Sequence, residues 1–136
     1  MAASGRVRAV DTNVVLRMIL DDDPVQSPRA VSLMEQPTFV ALTVLMELEW
    51  VLRSSYRQPR ATIAAVLSAV IDIPTVVTPD DSGIRWAIER YRDNGADFDD
   101  MIHIVAARGM ASFCSFEKRL SALAGEDTPV AIERPA

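Results

Sequence analysis

RVRAVDTNVVLRMIL, residues 6–20, decides how the rest of the chain reads. RVRAV is a short β-branched run and predicts a first buried strand. Asp11-Thr12-Asn13 then offers capping side chains ahead of VVLRMIL, whose apolar residues continue at helical spacing. A strand that turns at once into a helix opens an α/β pattern, and it leaves Asp11 at the carboxyl end of that strand.

Working outward, Asp21-Asp22-Asp23-Pro24 closes this helix and opens the next, with Pro24 near a first helical position. Val25 to Gln36 has helical periodicity until Pro37 breaks it, and TFVAL predicts a second strand. Thr43 is read as the N-cap of a helix through VLMELEWVLRSSY, with Val44, Leu45, Leu48 and Leu52 as its apolar stripe. Pro59 starts a helix that runs through Ile71. PTVVT predicts a third strand, continuous rather than alternating, as expected for burial on both faces. Asp80 or Asp81 begins a helix through Arg92, ended by Asn94-Gly95. Another helix runs from Asp97 or Phe98 to about Arg108, with Gly109 near its stop. ASFCSF is a fourth strand, EKRLSALAG a closing helix, and PVAIE one more short strand. Strands alternating with helices predict an α/β fold with a mostly parallel sheet of four to five strands.

Composition bounds the function. The 136 residues are read as one domain, 1–136, long enough to bury a core without disulfides. Cys114 is the only cysteine and His103 the only histidine, which excludes a Cys-based zinc site and any site needing two imidazoles. MAASGRVRAV lacks the apolar core of a signal peptide and no run is long enough to span a bilayer, so the expected compartment is the cytoplasm. A net charge of −5 argues against binding nucleic acid by bulk attraction alone. It is compatible with a nuclease whose carboxylates hold cations and whose arginines steer locally. It also suits a basic partner peptide.

The acidic residues are separated in sequence but converge by topology. In open parallel sheets, ligands gather outside the carboxyl ends of the strands. Asp11 ends the first strand, Glu47 lies early in the helix after the second, and Glu117 follows the fourth. Asp97 and Asp100 begin the helix before the fourth strand, three apart on one face, whereas Asp99 points elsewhere. Hard oxygen ligands of this kind suit Mg²⁺ or Mn²⁺ rather than Zn²⁺. Two such ions about 3.5–4 Å apart can serve an in-line phosphoryl displacement.

At these residues the chain resembles a known family. VDTNVVLRMI, LTVLMELEWVLRSSY, GADFDDMIHIVAA and FCSFEKRL look like the four signature segments of PIN-domain ribonucleases, in order over nearly the whole chain. The resemblance is closest to VapC-type toxins of bacterial toxin–antitoxin pairs. It implies a three-layer α/β/α sandwich and Mg²⁺-dependent cleavage of RNA. It also implies a homodimer inhibited by a cognate antitoxin. By the same resemblance Asp11, Glu47 and Asp100 are the catalytic carboxylates, and Asp97 is an extra acid. The family's usual Thr-Phe-Asp reads Ser115-Phe116-Glu117 here. Glu117 is one methylene longer than aspartate, so direct ligation and contact through a water both stay open.

Each residue also has a plainer reading. Asp11 and Asp97 can be helix caps, worth about 1 kcal/mol. Asn13 and Ser115 can orient carboxylates or make local turn bonds. Asp21 to Asp23 read as a solvated turn, and Asp99 as a solvated residue. His103 can bond a neighbour or act as a base. Glu49 and Arg53 have the i,i+4 spacing of a pair on one helix, worth a few tenths of a kcal/mol. Trp50 reads as packing or a subunit interface. Arg53, Arg57, Lys118 and Arg119 are candidates for guiding RNA phosphates. Two functional rivals remain beside the ribonuclease: another Mg²⁺-dependent phosphohydrolase or phospho-acceptor using Lys118, and a non-catalytic PIN-like binding module.

Overall fold

The first strand, β1, covers only Arg8–Ala9 before the chain turns into α1, Thr12–Leu20. The structure, a computed structural model, describes residues 6–135; MAASG, at the start of the stretch read for an export signal, and Ala136 lie outside the described residues. α1 stops at Asp21, which takes the left-handed conformation at φ 49°. Asp22 pairs with Arg17 at 2.6 Å. The Asp23 carboxylate accepts the N–H groups of Val25 and Gln26 at 2.9 and 2.7 Å. The aspartate run therefore stops one helix and caps the next. Pro24 consequently stands in the turn, and α2 begins after it, at Gln26–Met34.

After β2, Thr38–Phe39, the chain enters α3, Leu42–Ser54. Thr43 is not its cap. Ala41 holds that position in extended backbone, with its carbonyl accepting from Val44 and Leu45 at 3.1 and 3.2 Å. Val40 is the last residue tied to the sheet, through Val77 at 3.0 Å, so the chain turns before reaching Thr43. Val44, Leu45, Leu48 and Leu52 are all buried, as the stripe requires. α4, Arg60–Asp72, starts after Pro59 and leads to β3, Val76–Val77.

β1 and β3 flank β2, all parallel, with Arg8 opposite Thr38 and Thr38 opposite Val76. β1 and β3 are the edges of this ladder, so neither is the buried strand expected: Arg8 and Ala9 are exposed, Val76 is half-buried and Val77 exposed. The remaining strands, β4 (Phe113–Cys114) and β5 (Ile132–Glu133), pair in parallel as a separate two-stranded ladder. All five expected strands are present in the expected α/β architecture, divided three and two.

α5, Asp81–Asn94, and α6, Phe98–Ala106, carry the connection that matters for the site; α7, Leu120–Ala124, follows β4. Asp80 caps α5 through the Gly83 N–H at 2.9 Å, and Arg108 beyond α6 bonds its other oxygen at 2.5 Å. A Cβ on Gly83 would lie 2.5 Å from Asp80 Oδ2 and 2.8 Å from Val105 Cγ1, so only glycine permits this approach of α5 to α6. Gly95, at φ 72°, ends α5. Arg60 then clamps the link, donating to the carbonyls of Tyr91 and Ala96 at 2.9 and 2.6 Å while lying 4.3 Å from the Tyr91 ring centroid. The buried apolar residues form one cluster from Val10 to Val130. Among the described residues no helix is long and apolar enough to cross a membrane.

Candidate active site

Asp11 is both a cap and a carboxylate with capacity to spare. Its Oδ1 accepts the Val14 N–H at 3.1 Å, and Oδ2 takes no hydrogen bond from the described residues. Glu47 stands in the second turn of α3, slightly later than expected, and is exposed. The Thr12 hydroxyl donates to its Oε1 at 2.7 Å, which ties the start of α1 to α3 and leaves Oε2 free. Asp97 is the N-cap of α6, its Oδ1 accepting the Asp99 N–H at 2.9 Å. Asp100 makes no side-chain hydrogen bond within the described residues and is half-buried in the first turn of α6. Each of Asp11, Glu47 and Asp97 thus has one oxygen fixed and one open, and Asp100 has both open.

Charge crowding marks the first turn of α6. Burial first, and then the neighbouring Asp97 carboxylate, push the Asp100 carboxyl above its usual range; His103 opposes this, while Asp99 and Glu117 add to it. Asp99 is pushed up by burial, by Asp97 and by Glu49, against His103 and Arg53. Asp99 therefore does not point away into solvent. It is half-buried, and it lines a cavity with Met46, Glu47 and Trp50 between α3 and α6. The start of α6 lies against α3, so its first turn brings acids to the Glu47 side.

Other expected residues are engaged locally. Asn13 accepts from Arg17 at 3.4 Å rather than holding a carboxylate; Thr12 does that instead. Ser115 accepts the Glu117 N–H at 3.1 Å and Glu117 accepts the Arg119 N–H at 3.2 Å, a closed local turn on an exposed segment. Arg57 is exposed at φ 52°, and Lys118 and Arg119 are exposed. Arg53 is committed to Glu49, at 2.7 Å. The expected i,i+4 pair is thus present, and it reaches inward: Glu49 is 3% exposed and also accepts the Tyr91 hydroxyl at 3.0 Å. Two arginines that sequence reasoning passed over, Arg17 and Arg29, line a cavity with Asp11 and Asn13. The i,i+4 spacing of Arg17 from Asn13 was the available signal for the first, and α2's approach to α1 is what brings Arg29 there.

Among the described residues, no three His, Cys, Asp or Glu side chains stand close enough to enclose one ion. The donor set nonetheless fits a divalent cation of the magnesium type. Mg²⁺ keeps several waters and needs only one or two carboxylates with the substrate's phosphate. Open oxygens on Asp11, Glu47, Asp97 and Asp100, and the electrostatic strain on Asp100, are what such an ion relieves.

Comparison with curated proteins gives no match. The PIN domain family profile matches residues 8–126, from β1 through α7. PIN domains are generally nucleases, acting on nucleic acids and typically using divalent metals. With its parallel strands and this match over most of its length, the chain belongs to the PIN domain family.

Proposed function

We propose that the protein is a Mg²⁺-dependent endoribonuclease, acting as one nuclease domain. The observation that carries this reading is the set of half-satisfied carboxylates, each held by one backbone or hydroxyl bond with an oxygen to spare. Asp11, Glu47 and Asp100, together with Asp97, would hold one or two Mg²⁺ ions, with Mn²⁺ able to substitute and Glu117 in reach through its longer side chain. Bound there, the cation supplies a lowered water pKa and charge neutralisation at phosphorus. Water attacks phosphorus in line, the P–O3′ bond breaks, the water proton is released and the 3′ oxygen takes one up, leaving a 5′-phosphate and a 3′-hydroxyl.

The chain's own residues prepare this step. Capping fixes Asp11 to the rigid start of α1, and Thr12 fixes the Glu47 carboxylate across the gap to α3. Arg60 and the Gly95 turn fix the start of α6, and with it Asp97 and Asp100. Arg29 sets positive charge in the cavity that Asp11 lines, in a protein of net charge −5, which supports local steering of phosphate, whereas Arg17 is already paired with Asp22. The motif resemblance supports a toxin of a toxin–antitoxin pair, restrained by a cognate antitoxin, homodimeric and cytoplasmic.

One observation favours the rival reading of a non-catalytic module: among the described residues no three carboxylates form a cage for an ion. Cleavage of a structured-RNA pool with and without Mn²⁺ separates the two. Wild type should cut only with metal, and Asp11→Asn and Asp100→Asn should lose turnover while keeping the fold. Asparagine caps as well as aspartate does, so α1 survives the change. Undiminished cutting by either variant would sink the site; absence of cutting together with absence of Mn²⁺ binding would establish the module.

A further inference from the structure

Trp50 is 55% exposed, although it is the largest apolar side chain on α3. It follows Glu47 by three residues and so shares its helix face, about one turn on. With Met46, Glu47 and Asp99 it lines an open cavity of about 310 Å³. Leaving an indole in water forgoes roughly 2 kcal/mol of burial, and this one stands beside the carboxylates assigned to catalysis. The Asp99 carboxylate across the cavity is half-buried and takes no hydrogen bond from the described residues.

We propose that this cavity is a nucleobase subsite selective for guanine, in which the Trp50 indole stacks on the base and the Asp99 carboxylate accepts from its N1–H and N2–H groups. The assignment rests on the nuclease reading and adds a base preference to it. Stacking on an aromatic side chain contributes about 1–3 kcal/mol per base and tolerates any base. Selection comes from Asp99. An ionised carboxylate offers acceptors only. Guanine alone among the RNA bases presents two adjacent N–H donors on its pairing edge. Adenine and cytosine set an acceptor next to their donor, and uracil flanks its single N–H with two carbonyls; each would meet the carboxylate with an unpaired or repelled group. Glu47, one oxygen already bonded to Thr12, stays directed to the reaction. The cavity lies near the ~300 Å³ lower end of ligand-sized clefts, room for one base and not for a folded peptide segment.

The test titrates 5′-GMP, AMP, CMP and UMP into the wild-type protein while following tryptophan emission, for which Trp50 is the exposed reporter and Trp86 the buried one. Mononucleotides contain no scissile diester, so this readout is independent of turnover. GMP should quench saturably and bind at least about tenfold tighter than AMP, a difference of about 1.4 kcal/mol. Asp99→Asn turns one acceptor into a donor and should erase that preference while leaving quenching intact. In cleavage of oligoribonucleotides carrying a single guanine, Trp50→Ala should raise KM about tenfold with kcat little changed, and Trp50→Phe should recover most of the loss. GMP binding without cleavage of any RNA would keep the subsite and remove the nuclease. Cleavage with equal KM in wild type and Trp50→Ala would keep the nuclease and overturn the subsite. Quenching equal for all four nucleotides would overturn the guanine assignment. Conversion of a dimer to monomer by Trp50→Ala, with no effect on nucleotide binding, would give this face to a protein contact and overturn it as well.

Discussion

Glu47 and Glu49 stand two residues apart on α3 and live in opposite surroundings. Glu47 is exposed, bonded once, by Thr12 at 2.7 Å, and keeps its other oxygen free of hydrogen bonds within the described residues. Glu49 is buried, and its carboxylate is filled by Arg53 at 2.7 Å and by the Tyr91 hydroxyl at 3.0 Å. Two residues along a helix is a rotation of about 200°, so the first faces the cleft and the second faces α5. The difference between them is availability, and burial removes it. The satisfied glutamate is a strut that ties α3 to α5, and the under-satisfied one is chemically available.

The sharpest way to break that contrast is Glu47→Gln. The carboxamide oxygen still accepts from Thr12, so stability should stay within about 0.5 kcal/mol. Turnover of RNA in Mn²⁺ should fall on the order of 10²–10³-fold, the scale of losing one group aimed at transition-state charge. A variant with wild-type kcat would place Glu47 with Glu49 among the structural acids.

Next in size, Glu49→Ala should cost about 2 kcal/mol of unfolding free energy, because it leaves the buried Tyr91 hydroxyl without an acceptor. Arg53 is half-exposed and recovers water, which keeps the loss below that of a fully buried pair. Denaturant titration measures it. A loss under about 0.5 kcal/mol would mean the strut carries nothing.

The smallest effect is Tyr91→Phe, expected to cost about 1 kcal/mol at neutral pH while keeping the ring beneath Arg60 and against Phe98. Its signature lies at alkaline pH. Burial, and then the Glu49 carboxylate that its hydroxyl bonds, push the Tyr91 phenol above its usual range. The unfolded chain loses that proton near pH 10 while the folded chain keeps it, so the contribution is whole below pH 10 and is lost as pH rises above it. The stability curve of Tyr91→Phe should therefore fall less steeply above about pH 10 than wild type. Parallel curves would refute the shift.

Most helices were legible because their signals are local. Asp80 capping α5, Gly95 ending it and Pro59 preceding α4 act within one turn of chain. The misreadings also have local causes. Thr43 is a good capping residue, but the sheet releases the chain at Val40 and the helix starts without it. PTVVT is apolar enough for a central strand, yet its place beside β2 alone makes it an edge. At the site, Asp11, Glu47, Asp97 and Asp100 were read from their places at strand ends and helix starts. Thr12 as the partner of Glu47 was not, since thirty-five positions separate them. Nor was the turn of Asp99 toward α3.

By itself the sequence determined the order of strands and helices, and which acids stand at strand ends and helix starts. Periodicity, caps and breakers act over a few residues and need no knowledge of the rest. Only the tertiary structure decided which acid is open and which is satisfied. It also decided where the five strands divide, and that Trp50 and Asp99 face one cavity. Those outcomes depend on which distant side chain arrives opposite, and no local rule encodes that meeting.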